Sequence, residues 1–284
     1  PPPKRSPRPR RSDRDTHQRT LALILHLDDE ARGVSYPRNV TLKDLYYFWA
    51  APTLSYQIAY PRSRRVRWTK VAGILFRMVF AVAFFLYLVA QVVSPALNSL
   101  VADLEETGED LLTPHILTDY LLRLSVANTY LWLLMFYIFF HLSLNLLAEL
   151  LRFGDRVFYK DWWNSTELSA YWRLWNQPVH FWLVRHVYFP CIRMKMSKTA
   201  ATFVVFFLSA VMHEVLISVP FHMVRFWSFL GMMGQMPLVA LTKWLDRRWP
   251  GSSVGNVIFW VSFCVVGQPT AILLYTIDYW KMTR

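Results

Sequence analysis

Residues Ala200–Pro220 read AATFVVFFLSAVMHEVLISVP, an apolar run long enough to cross a bilayer whose only titratable residues are the adjacent His213 and Glu214. A charge at the centre of such a helix costs about 3 kcal/mol on insertion scales, so a titratable pair there is expected to serve function. The rest of the chain reads as scaffold around that pair.

Of the 284 residues, 54% are apolar and 17% aromatic, which places the chain among integral membrane proteins. Hydropathy predicts spans at about 71–93, 127–151, 200–220, 226–241 and 256–279, giving an all-α polytopic membrane protein with about five transmembrane helices. The formal net charge of +12 is gathered in arginine clusters that flank the apolar runs, as in cytosolic loops, and this argues against nucleic acid as a partner. Residues 1–33 form a basic, Pro/Arg-rich segment too polar to bury a core, expected to be a disordered cytosolic tail or linker ahead of a membrane domain over 34–284. Val34–Arg65, rich in Tyr, Trp and Pro, is expected to lie at the membrane surface.

Loop charges orient the spans. Arg62, Arg64, Arg65, Arg67 and Lys70 precede the first, whereas Asp103, Glu105, Glu106, Glu109 and Asp110 fill the connection after it. The positive-inside rule then predicts a cytosolic N-terminal region and a lumenal C-terminus. On that topology the acceptor patterns at Asn39-Val-Thr41 and Asn164-Ser-Thr166 face the cytosol and are expected to carry no sugar. Cys191 and Cys264 imply no disulfide framework. Neither HExxH nor CxxC spacing occurs, so no metal site is expected.

The connection from Phe153 to Lys198 is crowded with aromatics, which suit a headgroup-level belt. Asn176, Gln177, His180, Arg185 and His186 among them do not suit a lipid-facing surface. They fit a re-entrant segment that lines a polar cavity within the protein.

Two signatures in these stretches carry a resemblance. Phe158-Tyr159-Lys-Asp161-Trp162-Trp163-Asn164 matches the FYxDWWN pattern of the acyl-CoA branch of the membrane-bound O-acyltransferases, and His213-Glu214 in an apolar helix matches that family's catalytic histidine. Asn176-Gln-Pro-Val-His180, Arg185-His-Val-Tyr188, Gly231 to Leu238, Gly267-Gln268-Pro269, Asp278-Tyr279, and Ser35-Tyr-Pro37 through Ala51-Pro-Thr-Leu54 resemble the type-1 diacylglycerol O-acyltransferases more than the sterol branch. The resemblance covers Ser35 to the C-terminus. It implies transfer of a fatty acyl group from acyl-CoA to diacylglycerol in the endoplasmic reticulum membrane, with acyl-CoA a substrate and no bound cofactor. It also implies a homo-oligomer, and further spans upstream that this chain does not supply.

The resemblance makes His213 the general base and Asn176 its active-site partner. Gln235 and Gln268 are placed in the acceptor pocket, and Trp175, His180, Tyr188, Ser197, Lys198 and Ser209 near the acyl donor. Physical alternatives stand beside these roles: Asn176 as a helix cap, Gln235 and Gln268 as ties between helices, Tyr188 and Lys198 as surface anchors. Arg173 and Thr202 depart from the family pattern near acceptor and donor. On a helix Ser209 and His213 share a face and Glu214 points about a quarter turn away, so Glu214 is expected to support the site or pair with another helix. No serine or cysteine stands beside the base as a nucleophile, so direct transfer is expected. The rival readings are sterol O-acyltransfer and a catalytically silent partial subunit.

Overall fold

A computed structural model of the chain describes residues 36–107 and 114–283. The expected tail over 1–33 lies outside the described residues, as do Glu109 and Asp110 of the acidic connection. Among the described residues the structure is helical, with a single isolated bridge between Arg62 and Phe153 in place of any sheet.

Among the described residues four helices are long and apolar enough to cross a membrane: Trp68–Glu106, Leu117–Leu150, Lys198–Phe221 and Val254–Thr283. The first consists of α2 (Trp68–Leu88) and α3 (Ser94–Thr107), following the short surface helix α1 (Leu42–Ala50). The second joins α4 (Pro114–Phe136) to α5 (Leu144–Leu150). After the connection helices α6 (Leu168–Leu174), α7 (Gln177–Leu183) and α8 (Phe189–Arg193) comes α9 (Lys198–Phe221), which carries His213. Then follow α10 (Trp227–Met233), α11 (Gln235–Arg248), α12 (Val254–Trp260) and α13 (Gln268–Thr283).

Several helix joints have a readable cause. π-helical turns at Val89–Val93, Val184–Tyr188 and Val261–Gly267 each end two residues before a proline, at Pro95, Pro190 and Pro269 respectively. A proline has no N–H to give and its ring crowds the carbonyl one turn back; the wider turn relieves that crowding without ending the helix.

The expected span over 226–241 is not a single helix. Gly234 separates α10 from α11, and Pro237 in the first turn of α11 has no N–H to bond back across the joint. The kinked pair still travels the height of the bundle. It starts beside the last helix, where Trp227 Nε1 donates to Asp278 Oδ2 at 2.7 Å. It returns to the connection at the opposite end, where Thr242 Oγ1 accepts the Leu168 N–H at 3.2 Å.

The connection over 153–198 forms much of the core. Trp162, Leu168 and Tyr171 are buried with Trp132, Phe136 and Phe140 of the second span and Phe259 and Cys264 of the last. The ring of Trp162 meets Trp132 edge-on at 5.0 Å and Trp175 at 5.3 Å. These aromatics therefore face protein rather than a headgroup belt. The surface segment behaves differently. On α1, Tyr46 is 66% and Trp49 83% exposed, while Tyr47 and Phe48 pack toward Tyr60 and Phe153, the amphipathic division expected of an interfacial helix. Asn39 is buried with its amide on Tyr56 Oη, which removes it from reach as a sugar acceptor.

A second buried carboxylate pins the basic end. Glu149, fully buried at the end of the second span, accepts from the Arg67 backbone N at 2.8 Å, from Arg67 Nε at 2.9 Å and Nη2 at 2.7 Å, and from Arg156 Nη1. It is the same kind of feature as Glu214: an acid inside an apolar run. The bond holds the entry to the first span against the exit of the second. Gly255 secures the last span to the connection, since a Cβ there would sit 1.9 Å from the Thr166 carbonyl oxygen. The neighbouring Asn256 Nδ2 donates to the carbonyls of Trp163 at 2.7 Å and Ser165 at 3.1 Å.

Two outcomes follow for purified protein in detergent. Glu149→Ala removes the shared acceptor of Arg67 and Arg156 and should destabilise the protein, read as a lowered melting midpoint. Gly255→Ala should lower the midpoint as well, because the added methyl cannot fit without separating α12 from Thr166, whereas Gly73→Ala, where a Cβ meets nothing within 4 Å, should leave it unchanged or raised.

Candidate active site

His213 and Glu214 are adjacent on α9 and face different surroundings. Ala201, Ala210, Glu214 and Ser218 make the buried face of that helix, against which α10 folds back, while His213 is exposed. Glu214 Oε1 accepts from Ser218 Oγ at 2.9 Å, Arg225 N at 3.2 Å and Phe226 N at 2.9 Å. Its Oε2 accepts from Phe229 N at 3.2 Å and Tyr275 Oη at 2.8 Å. Five protein donors thus fill the carboxylate, leaving it the work of locking the α9–α10 turn to α13. Tyr275 Oη also accepts the Ser228 N–H at 3.0 Å, and Arg225 Nε approaches Asp278 Oδ2 at 3.6 Å.

The ring of His213 is set by its own helix. Its Nδ1 lies 2.7 Å from the Ser209 carbonyl oxygen and 3.5 Å from Ser209 Oγ. A carbonyl oxygen only accepts, so the neutral ring carries its proton on Nδ1 and leaves the Nε2 lone pair free. That tautomer is the one a general base needs, and Ser209 fixes it through the backbone of the residue one turn earlier.

Asn176 is the N-cap of α7, its Oδ1 accepting from Val179 N at 3.1 Å with Pro178 in the first turn. No hydrogen bond joins Asn176 to His213 among the described residues. Gln177 beside it is buried, its Nε2 on the Arg173 carbonyl and its backbone N donating to the Phe158 carbonyl at 2.9 Å. Gln268 Oε1 accepts from Asn128 Nδ2 at 2.9 Å, tying the last span to the second. Gln235 is buried at the start of α11.

The residues placed near the donor divide into two groups. Ser197 and Lys198 stand at the start of α9, and Tyr188 ends the Val184–Tyr188 turn against which that helix packs; Ser197 Oγ caps α9 by accepting the Ala200 N–H at 3.1 Å. Lys198 is exposed there. His213 follows fifteen residues later, about 22 Å along the axis at about 1.5 Å per residue. Trp175 belongs instead to the aromatic core, stacked on Trp132 at 4.8 Å. His180 is half-buried next to Phe181, and burial, with the Arg173 charge adding to it, holds its imidazole below the usual histidine value. Of the departures, Arg173 reaches Glu167 Oε1 at 3.5 Å and Thr202 Oγ1 donates to the Lys198 carbonyl at 2.8 Å.

Part of the FYxDWWN segment packs into the core. Phe158 and Trp162 are buried, Tyr159 Oη is 2.7 Å from His141 Nδ1, and Asp161 precedes the 3-10 turn Trp162–Asn164. The exposed Trp163 presents its carbonyl to Asn256, and Asn164 is also exposed. Residues that the sequence reading passed over include Glu149, Asn128, His141 and Tyr275. Glu149 and His141 sit in apolar runs, the same signal that singled out His213. Asn128 and Tyr275 are ordinary at a span's interior until their partners are known.

Comparison with known proteins agrees with this architecture. The model of the membrane-bound O-acyltransferase family matches residues 22–276. The chain is 47% identical over 245 residues to diacylglycerol O-acyltransferase 1C of Glycine max, covering 86% of this chain and 46% of that one. It is 50% identical over 239 residues to diacylglycerol O-acyltransferase 1 of Arabidopsis thaliana, 84% of this chain and 45% of the relative. With the Dictyostelium discoideum protein of that name it shares 46% over 243 residues, 84% and 37%. The chain therefore spans half or less of the length of these curated relatives. With its helical bundle, its aromatic connection and the histidine helix, the chain belongs to the membrane-bound O-acyltransferase family.

Proposed function

We propose that this chain forms the histidine-bearing part of an acyl-CoA-dependent diacylglycerol O-acyltransferase that makes triacylglycerol in the endoplasmic reticulum membrane. The observation that carries the reading is the 2.7 Å contact of His213 Nδ1 with the Ser209 carbonyl, which leaves Nε2 as the free base in a chain 47% and 50% identical to relatives bearing that name. Nε2 takes the proton of the diacylglycerol hydroxyl as its oxygen attacks the thioester carbonyl. The new C–O bond forms, the C–S bond breaks, and the imidazolium returns the proton to the departing thiolate. General-base help of this kind contributes on the order of a hundred- to ten-thousand-fold.

In this reading acyl-CoA arrives from the cytosol, with the nucleotide near Tyr188 and Lys198 and the pantetheine arm bridging the distance along α9 to His213. Asn176, Gln235 and Gln268 are proposed to hold reacting groups or to position the helices that do. The segregation of charge supports the orientation: Arg67, Arg156 and the connection lie at one end of the bundle, while Asp103, bonded by Tyr120 Oη at 2.6 Å, lies at the other beside the last turns of α13. With the kinked α10–α11 pair counted as a crossing, the N-terminal region is cytosolic and the C-terminus lumenal. A homo-oligomer is part of the proposal.

The test is a chimera in which this chain replaces the matching half of the Glycine max relative, expressed in cells lacking neutral-lipid synthesis and supplied with labelled acyl-CoA. Triacylglycerol is the expected product; preferential sterol ester would overturn the acceptor assignment, and an inert chimera of normal abundance would overturn the activity. In the active chimera His213→Ala should lower turnover at least a hundredfold while melting midpoint and oligomer size stay unchanged. Glu214→Gln should act oppositely in kind. It turns an accepting oxygen into a donor against Phe229 N and Tyr275 Oη, so stability should fall by about 1–3 kcal/mol, read as a lowered midpoint.

A further inference from the structure

We propose that the cavity lined by Ser63, Arg64, Arg65, Arg67, Gly154 and Arg156 is a binding site for the phosphate headgroup of an anionic phospholipid. The cavity encloses about 440 Å³ and lies apart from the His213 helix. Two of its arginines are held in place: Arg67 and Arg156 both bond the buried Glu149, and Arg156 also donates through Nε to the Phe153 carbonyl at 2.8 Å. The backbone beneath them is pinned as well. Ser63 N donates to the Arg152 carbonyl at 2.8 Å and Gly154 N to the Pro61 carbonyl at 2.7 Å, an approach so close that a Cβ on Gly154 would sit 2.7 Å from the same oxygen.

The charges do not balance. Four arginines line the cavity, and the one carboxylate bonded to any of them, by Arg67 and Arg156, lies fully buried. Arg64 and Arg65 have no carboxylate partner among the described residues, and the next acid along the chain, Asp155, lines the neighbouring cavity beside Pro52 and Phe181. Guanidinium groups carried by residues lining one concavity suit the oxygens of a phosphate. The location chooses the lipid as its source. Arg67 directly precedes the first span and Glu149 ends the second, so the cavity opens where two helices meet the membrane surface, and Trp68 beside it is 68% exposed at headgroup level.

Native mass spectrometry of the detergent-solubilised chain, offered phosphatidylglycerol and phosphatidylcholine of identical acyl chains, tests this directly. The unaltered protein should retain phosphatidylglycerol preferentially. The double variant Arg64→Gln, Arg65→Gln, which leaves the Glu149 bonds in place and should melt as the parent does, should lose about tenfold of that retention. Equal retention by both proteins, or no preference for the anionic lipid in the parent, would overturn the proposal. So would arginine-dependent binding of 3′,5′-adenosine diphosphate without lipid preference, which would assign the cavity to a soluble phosphate.

Discussion

A carboxylate buried in an apolar helix is tolerated only when every lone pair is answered, and Glu214 meets that condition with donors from three segments. Ser218 comes from its own helix, Arg225, Phe226 and Phe229 from the turn into α10, and Tyr275 from the last span. That convergence settles the route of the chain around it. His222 and Phe226 take left-handed backbone at φ 51° and 61°, a cost the carboxylate offsets by binding the freed N–H groups of the turn. The reversal lays α10 on α9 and sends α11 back to the connection. His213, one residue away, is thereby left on the open side of a helix whose other side is fixed.

Glu149 does at the basic end what Glu214 does within the bundle. It gathers Arg67 from before the first span and Arg156 from after the second, so that the interfacial segment, two spans and the connection share one anchor. Between the anchors the aromatic cluster around Trp162 fills the space where the second and last spans meet the connection. The buried residues of the signature segment, Phe158 and Trp162, thus serve the packing of the core. Changes to Trp162 or Phe158 would reach His213 only through the packing of the helices.

Much was legible from residues alone because membrane insertion makes strong demands. Long apolar runs, arginines at one end and acids at the other follow from the cost of placing charge in lipid, and they located the spans of α2, α4, α9 and α13. The interfacial character of α1 followed from its Tyr and Trp residues. The span over 226–241 read less well, since hydropathy averages over Gly234 and Pro237 and does not register that backbone bonding changes there. The aromatics of the connection were equally compatible with headgroups and with a protein core, because both accept the same side chains.

What the sequence by itself determined, then, was the class of protein, the approximate placing of four of its spans and the residue proposed as the base, His213. These depend on local properties: hydropathy, charge and a short signature. Only the tertiary structure decided which polar groups are already spent. Glu214 is saturated by donors up to sixty-one residues away, Gln268 is taken by Asn128, Asn176 caps its helix, and the His213 tautomer is set by the Ser209 carbonyl. Hydrogen-bond partnership across helices depends on packing register, which composition and spacing along one chain do not contain.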